Sequence, residues 1–98
     1  MVTSRFESSF LQSSSEILRA IAHPIRIAIV DLLKTNGKLS VTDIHENLKI
    51  EQAIASHHLR ILKDKQVLTS RREGKNTFYS LKSERYSDII TTLETVLG

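Results

Sequence analysis

A chain of 98 residues is long enough for one hydrophobic core and leaves little over for a second module, so a single domain over residues 1–98 is expected. It contains no cysteine, which excludes disulfides, thiolate metal sites and thiol redox switches. The formal charge of +3 is unevenly spread: residues 60–85 hold eight Lys or Arg against Asp64, Glu73 and Glu84, a net of +5, so the rest carries −2.

The opening stretch MVTSRFESSFLQSSSE has neither a basic start followed by an apolar run nor a small-residue cleavage site. No segment has the length needed to span a bilayer, and the expectation is a cytoplasmic protein with no membrane partner. From about Ser9 to Ala20, Phe10, Ile17 and Leu18, with Leu11 and Ile21 adjoining, give a first helix behind a loose, Ser-rich end. His23-Pro24 marks the next start, since proline is tolerated where its missing N–H matters least. The following PIRIAIVDLLK is apolar around most of its circumference, which makes it the expected centre of the core, and Asn36-Gly37 stops it.

SVTDIHENL, Ser40 to Leu48, reads as a short helix with Ser40 as N-cap, Asp43 three residues on, and Val41, Ile44 and Leu48 at helical spacing. Only Lys49 and Ile50 separate it from EQAIASHHLRILKD, Glu51 to Asp64, which divides into two opposite faces. Ala55, Leu59 and Leu62 centre an apolar arc that Ile54, His58 and Ile61 widen; Gln52, Ser56, Arg60 and Lys63 lie opposite, with Ala53 and His57 beside them. Gln and Arg have the geometry for bidentate contacts to adenine and guanine edges in the major groove, and no carboxylate interrupts that row until Asp64. A plain amphipathic helix facing water gives the same pattern. The short helix directly upstream tips the balance, because two helices so tightly joined form a helix-turn-helix that sets the second in the major groove.

After Lys65-Gln66 the period becomes strand-like: QVLTSRREGKNTFYSL offers two β-prone runs around Glu73-Gly74-Lys75-Asn76. Arg71, Arg72 and Lys75 crowd the tip of this hairpin, within reach of backbone phosphates, while Phe78, Tyr79 and Leu81 are expected to cover the core. An ordinary solvated hairpin is the alternative; beside this helix-turn-helix a two-stranded wing is preferred. The concentration of basic charge from the recognition helix onward is the footprint of a nucleic-acid binder, though a solvated lysine face is a common cause of a mild excess. From about Ser83 to Leu97, a last helix carries Tyr86, Ile89, Ile90, Leu93, Val96 and Leu97 on one stripe. With the central helix already covered, Phe10 and Ile17 of the first helix and this stripe are read as mainly a dimer interface, the alternative being that both helices fold over the same core. The fold class expected is mainly α with a small β-hairpin: a winged helix-turn-helix of about five helices and a two-stranded wing.

This order of elements, with LRAIAHPIRIAIVDLL at the second helix, IASHHLRILKDKQVL over the recognition helix and RREGKNTFYSL at the wing, resembles the ArsR-type (ArsR/SmtB-like) winged-helix transcriptional repressors over roughly residues 16–90. The resemblance implies a homodimer built from first and last helices that binds a palindromic operator on double-stranded DNA and leaves it when a signal arrives. It implies further that Gln52, Ser56, His57 and Arg60 face the groove, that Arg72 and Lys75 approach the backbone, and that Arg26 makes a phosphate contact or an internal salt bridge, the bridge being slightly favoured. Lys63 and Arg71 join the candidate DNA contacts from their positions.

Departures from the family pattern bear on metal. Where metal-sensing members often place a cysteine pair, Val41, Thr42 and Asp43 stand; where others place last-helix ligands, Asp88 is followed by Ile89 and Ile90. His57 and His58 diverge by about 100° around a helix and cannot share one ion. His58 is read as a semi-buried packing residue, His57 as a donor to phosphate or base, His23 as a helix-start residue and His45 as part of a solvated face. Glu51 stands where the family commonly has a serine cap, and its carboxylate would repel a nearby phosphate. No cofactor, metal site or catalytic residue is expected, and the effector is left open. The alternatives carried forward are a metal-responsive repressor with an O/N site using His45 or histidines near the dimer seam, and a winged helix turned protein-interaction module. An enzyme is least favoured, since no nucleophile–base pair or phosphate loop can be assembled.

Overall fold

The computed structural model describes residues 2–98; Met1, within the expected domain, lies outside the described residues. Its elements are α1 (Ser8–Ile21), α2 (Pro24–Asn36), β1 (Leu39–Ser40), α3 (Val41–Leu48), α4 (Gln52–Asp64), β2 (Leu68–Glu73), β3 (Asn76–Leu81) and α5 (Tyr86–Leu97). Each boundary has a local cause. Within α1, which starts at Ser8 close to the expected Ser9, Ser14 Oγ turns back on its own helix and donates to the Phe10 carbonyl at 2.6 Å. His23 caps α2 by accepting the Ile25 N–H on Nδ1 at 3.1 Å, with Pro24 at the first helical position. Gly37, at φ +79°, closes that helix by donating its N–H to the Leu33 carbonyl at 2.8 Å.

A full capping box opens α3: Asp43 N–H donates to Ser40 Oγ at 3.1 Å, and Ser40 N–H to Asp43 Oδ2 at 3.3 Å. Lys49, left-handed at φ 56°, ends it. The chain then turns within three residues into α4, and Glu51 is the N-cap of that helix rather than its first turn. In the wing, Glu73 pairs with Asn76 across a two-residue loop; Gly74 alone carries a positive φ, +64°, the pattern of a II′ turn.

The two-stranded hairpin of the wing, β2 and β3, is joined by a third, short strand. Leu39 and Ser40 pair antiparallel with Tyr79 and Phe78, giving a three-stranded sheet in the order β1-β3-β2. This short strand went unread because two residues carry no detectable alternation. Period two along β3 then separates its aromatic residues. Tyr79 and Leu81 pack against the core, whereas Phe78 is half-buried beneath the Lys38 ammonium, 5.0 Å from its ring centre, and not part of the core as expected.

The core is centred on α2, as its composition implies. Ile29, Val30 and Leu33 meet Ile44 of α3, Leu59 and Leu62 of α4, and Val67 and Leu68 at the start of β2, all essentially inaccessible. Truncating one of the larger of these to Ala leaves a cavity costing about 2–5 kcal/mol. The protein is extended for its size, measuring 48 × 31 × 21 Å with a radius of gyration of 14.6 Å, against about 13 Å for a compact 100-residue domain.

Candidate nucleic-acid interface

The apolar arc of α4 anchors the helix so completely that its opposite face must meet solvent or a partner. Ala55, Leu59 and Leu62 are fully buried, while Gln52, Ala53, Ser56, His57, Arg60 and Lys63 are all exposed. Around the helix, at about 100° per residue, these six fall on one contiguous surface. Ile54 departs from the expectation. Assigned to the apolar arc, it is 40% exposed and is not among the residues packed against the core. It is the third residue of α4 and lies about 60° around the helix from the exposed His57, at the margin of the apolar arc rather than its centre.

His58 is buried, 7% exposed, as a packing residue. Its ring lies 4.3 Å from that of His23 and 5.1 Å from that of His57, centre to centre, and its Nδ1 has no hydrogen-bond partner. Burial, reinforced by the nearby His23, Arg26 and His57, pushes its pKa below the ordinary histidine value. A neutral His58 therefore ties the recognition helix to the start of α2. His45 is half-buried rather than solvated: its Nδ1 lies 3.2 Å from the Ile50 carbonyl, while the Ile50 N–H donates to the His45 carbonyl at 3.1 Å. The pair of contacts fixes the turn between α3 and α4.

Arg26 forms no salt bridge among the described residues. Its Nη1 donates instead to the Ala20 carbonyl at 3.0 Å, near the C-terminal end of α1, where a cation is favoured by the unsatisfied carbonyls. At the wing, Arg71, Arg72 and Lys75 are exposed, but period two sends Arg71 and Arg72 to opposite faces of β2. Arg72 Nε donates to the Gly74 carbonyl at 3.2 Å, which steadies the turn that presents Lys75. The wing's own carboxylate is occupied: Glu73 pairs with Lys38 at 2.9 Å. Both groups are exposed and the pair adds little stability, yet it holds a negative charge off the tip. Glu16 is similarly engaged by Lys65 at 3.1 Å, and that hydrogen bond, with one from Gln12, lowers its pKa.

The proposed seam residues divide. Ile17, Tyr86, Ile89 and Ile90 are half-buried against the core, so these parts of α1 and α5 do fold over it. Phe10, Leu93, Val96 and Leu97 are 50%, 45%, 74% and 81% exposed. Phe10, Leu93 and Leu97 border two open grooves: one of about 360 Å³ between α1 and α5 at Phe10, Ile17, Leu18, Tyr86 and Ile89, and one of about 380 Å³ at Ile27, Ile90, Leu93 and Leu97. Leu18, Phe6 and Val2 add to the exposed apolar surface. Phe6 stacks on Phe10 at 4.6 Å with the Arg5 guanidinium 4.0 Å above its ring, an arrangement that single-residue spacing does not reveal.

A family model described as bacterial regulatory protein, arsR family, matches residues 23–70, from the cap of α2 into the wing. The transcriptional repressor PagR of Bacillus anthracis is 34% identical over 95 residues, covering 97% of this chain and 95% of its own. The transcriptional repressor SdpR of Bacillus subtilis is 38% identical over 76 residues, covering 78% and 83%. The chain belongs to the ArsR family of bacterial regulatory proteins. Its winged helix-turn-helix superposes on the crystal structure of PagR with a TM-score of 0.81 at 36% identity, over 89% of this chain and 99% of that one. The solution structure of a homodimeric winged helix-turn-helix DNA-binding domain, Mb0332 from Mycobacterium bovis, gives 0.81 at 25% identity, over 99% and 89%. ArsR-family proteins are transcriptional regulators, not enzymes.

The metal sites that the family resemblance brings to mind do not fit this ArsR-family chain. Asp43 is committed to the capping box it forms with Ser40 at the start of α3. Asp88 pairs with Arg85 at 3.1 Å, and its neighbours Ile89 and Ile90 pack inward. Among the described residues no three His, Cys, Asp or Glu side chains converge, whereas a tight zinc site takes about four ligands. No helix of the described chain is long and apolar enough to cross a membrane.

Proposed function

We propose that this protein is a homodimeric transcriptional repressor that binds an inverted-repeat operator in the cytoplasm. The observation that carries the reading is the α4 surface, where Gln52, Ser56, His57, Arg60 and Lys63 are exposed together on a helix anchored by the fully buried Ala55, Leu59 and Leu62. Arg60 can donate twice to guanine O6 and N7, Gln52 can donate to adenine N7 while accepting from its N6–H, Ser56 and His57 supply shorter polar groups, and Lys63 a cation toward the flanking phosphates. Arg71, Arg72 and Lys75 reach the backbone from the wing, where opposite faces of β2 let Arg71 and Arg72 address different phosphates.

The seam is formed by Phe10, Leu93, Val96 and Leu97, with the half-buried Ile17, Tyr86, Ile89 and Ile90 beneath them. An exposed apolar band along both helices is what a second copy covers, and Mb0332 of the same fold is described as homodimeric. No metal takes part in this reading; release from DNA follows a small molecule, a partner protein or the abundance of the repressor. Selection of bound sequences from a random DNA pool tests it. The expected motif is an inverted repeat with half-site centres roughly 10–11 base pairs apart, and a motif without two-fold symmetry overturns the dimeric reading.

A further inference from the structure

We infer that Ile54 is a specificity-determining residue of the operator contact, reading the C5-methyl group of a thymine in each half-site. The inference rests on the proposed operator binding and adds to it an apolar contact. Ile54 is 40% exposed, is not among the residues that form the core or are half-buried against it, and borders neither apolar groove along α1 and α5. Neither folding nor the proposed dimer seam therefore accounts for a large aliphatic side chain at this position. It is the third residue of α4, and the first turn of a recognition helix is the part that meets base edges.

Its surroundings favour a base over a phosphate. Gln52, Ala53, Ser56 and His57 are exposed beside it, and it lies about 60° around the helix from His57, at the margin of the donor-bearing surface. An aliphatic side chain offers a phosphate nothing, whereas the thymine methyl is the one apolar feature of the major-groove edge. Burying that methyl against Ile54 removes both from water, a gain of roughly fourfold in affinity per half-site.

The test starts from the operator selected by the full chain. Each thymine of one half-site is replaced in turn by deoxyuridine, which removes the methyl and nothing else, and binding is titrated with the wild-type protein and with Ile54→Ala. Since Ile54 is not one of the buried core residues, Ile54→Ala is expected to fold, and a thermal melt checks this. The expected result is one thymine whose replacement weakens wild-type binding roughly fourfold and leaves Ile54→Ala unchanged. Wild-type protein indifferent to every replacement, or Ile54→Ala showing the same sensitivity, overturns the inference while leaving operator binding intact. A pool that yields no motif overturns operator binding itself and the inference with it.

Discussion

Helices α4 and α5 carry similar apolar stripes and meet different fates. In α4 the stripe is consumed by the core, down to zero exposure at Ala55, Leu59 and Leu62, and what remains outside is almost entirely donors. In α5 the stripe is split: Tyr86, Ile89 and Ile90 turn inward, while Leu93, Val96 and Leu97 continue the same face and stay exposed, Leu93 and Leu97 bordering an open groove with Ile27 of α2. The difference shows that amphipathicity identifies a helix but not its partner. A stripe that outruns the core is an unfilled contact, and a polar face on a fully anchored helix is a presented one. The proposed function assigns a second copy of the chain to the first and DNA to the second.

The comparison breaks most directly at Leu93. With that residue nearly half-exposed in the protomer, Leu93→Glu is expected to fold normally yet place a carboxylate in the apolar seam. The cost is roughly 3 kcal/mol or more, over a hundredfold in the dimer dissociation constant. Sedimentation should show monomers, and operator affinity should fall with the lost second half-site. A variant that sediments as a dimer moves the interface elsewhere and leaves α5 without its assigned partner.

How far such a distinction is legible in sequence depends on the range of the interaction behind it. The capping box of Ser40 and Asp43, the Pro24 start and the two-residue loop at Gly74 are set by neighbours in the chain, and their types and spacing announce them. The helix-turn-helix was legible for the same reason. Contacts made between one element and another, or with the backbone of a turn, were not. β1 is recruited by β3 nearly 40 residues later, Leu39 pairing with Tyr79, and has no pattern of its own. Arg26 finds a carbonyl rather than a carboxylate because α1 ends beside it. His45 looked solvated because its partner is the backbone of the turn that follows. Ile54 was misplaced because it lies at the margin of the apolar arc, where periodicity alone does not say whether a residue is covered.

At the presented face, Arg60→Ala or Gln52→Ala is expected to cost about 1–3 kcal/mol of specific binding and to relax preference at particular base pairs. Reselecting the operator with each variant checks this. The wing should behave differently: Arg72→Ala or Lys75→Ala weakens binding to all sequences and lowers the salt-dependence slope by about 1 each. If the helix variants change only the salt slope and the wing variants change base preference, the two roles have been exchanged.

The anchoring beneath the face is expected to respond to acid. Burial first, then the charges of His23, Arg26 and His57, hold the His58 pKa below its ordinary value. Between that ordinary value, about 6.5, and the lower value in the folded protein, the unfolded chain binds a proton that the folded chain refuses. This contribution is thus fully present above neutrality and declines as pH falls. Urea midpoints measured from pH 8 to pH 5 should fall, and His58→Leu should flatten the decline. An unchanged decline in His58→Leu would remove His58 from the account.

The smallest expected effect lies at the junction of anchoring and presentation. Glu51 caps α4 by position only, as its side chain accepts no hydrogen bond from the first turn. Its negative charge favours the helix dipole by about 0.3–1 kcal/mol while standing where a phosphate approaches. Glu51→Gln removes the charge and provides a poor cap, so stability should fall by a few tenths of a kcal/mol and DNA affinity should rise. Glu51→Ser removes the same charge and supplies an acceptor for the free N–H groups, worth about 1 kcal/mol, so affinity should rise without the loss of stability. Thermal melts and DNA titrations at two salt concentrations on both variants separate the roles. If neither variant gains affinity at low salt, the Glu51 carboxylate lies away from the phosphates, and the N-terminus of α4 enters the groove at a different angle from the one proposed.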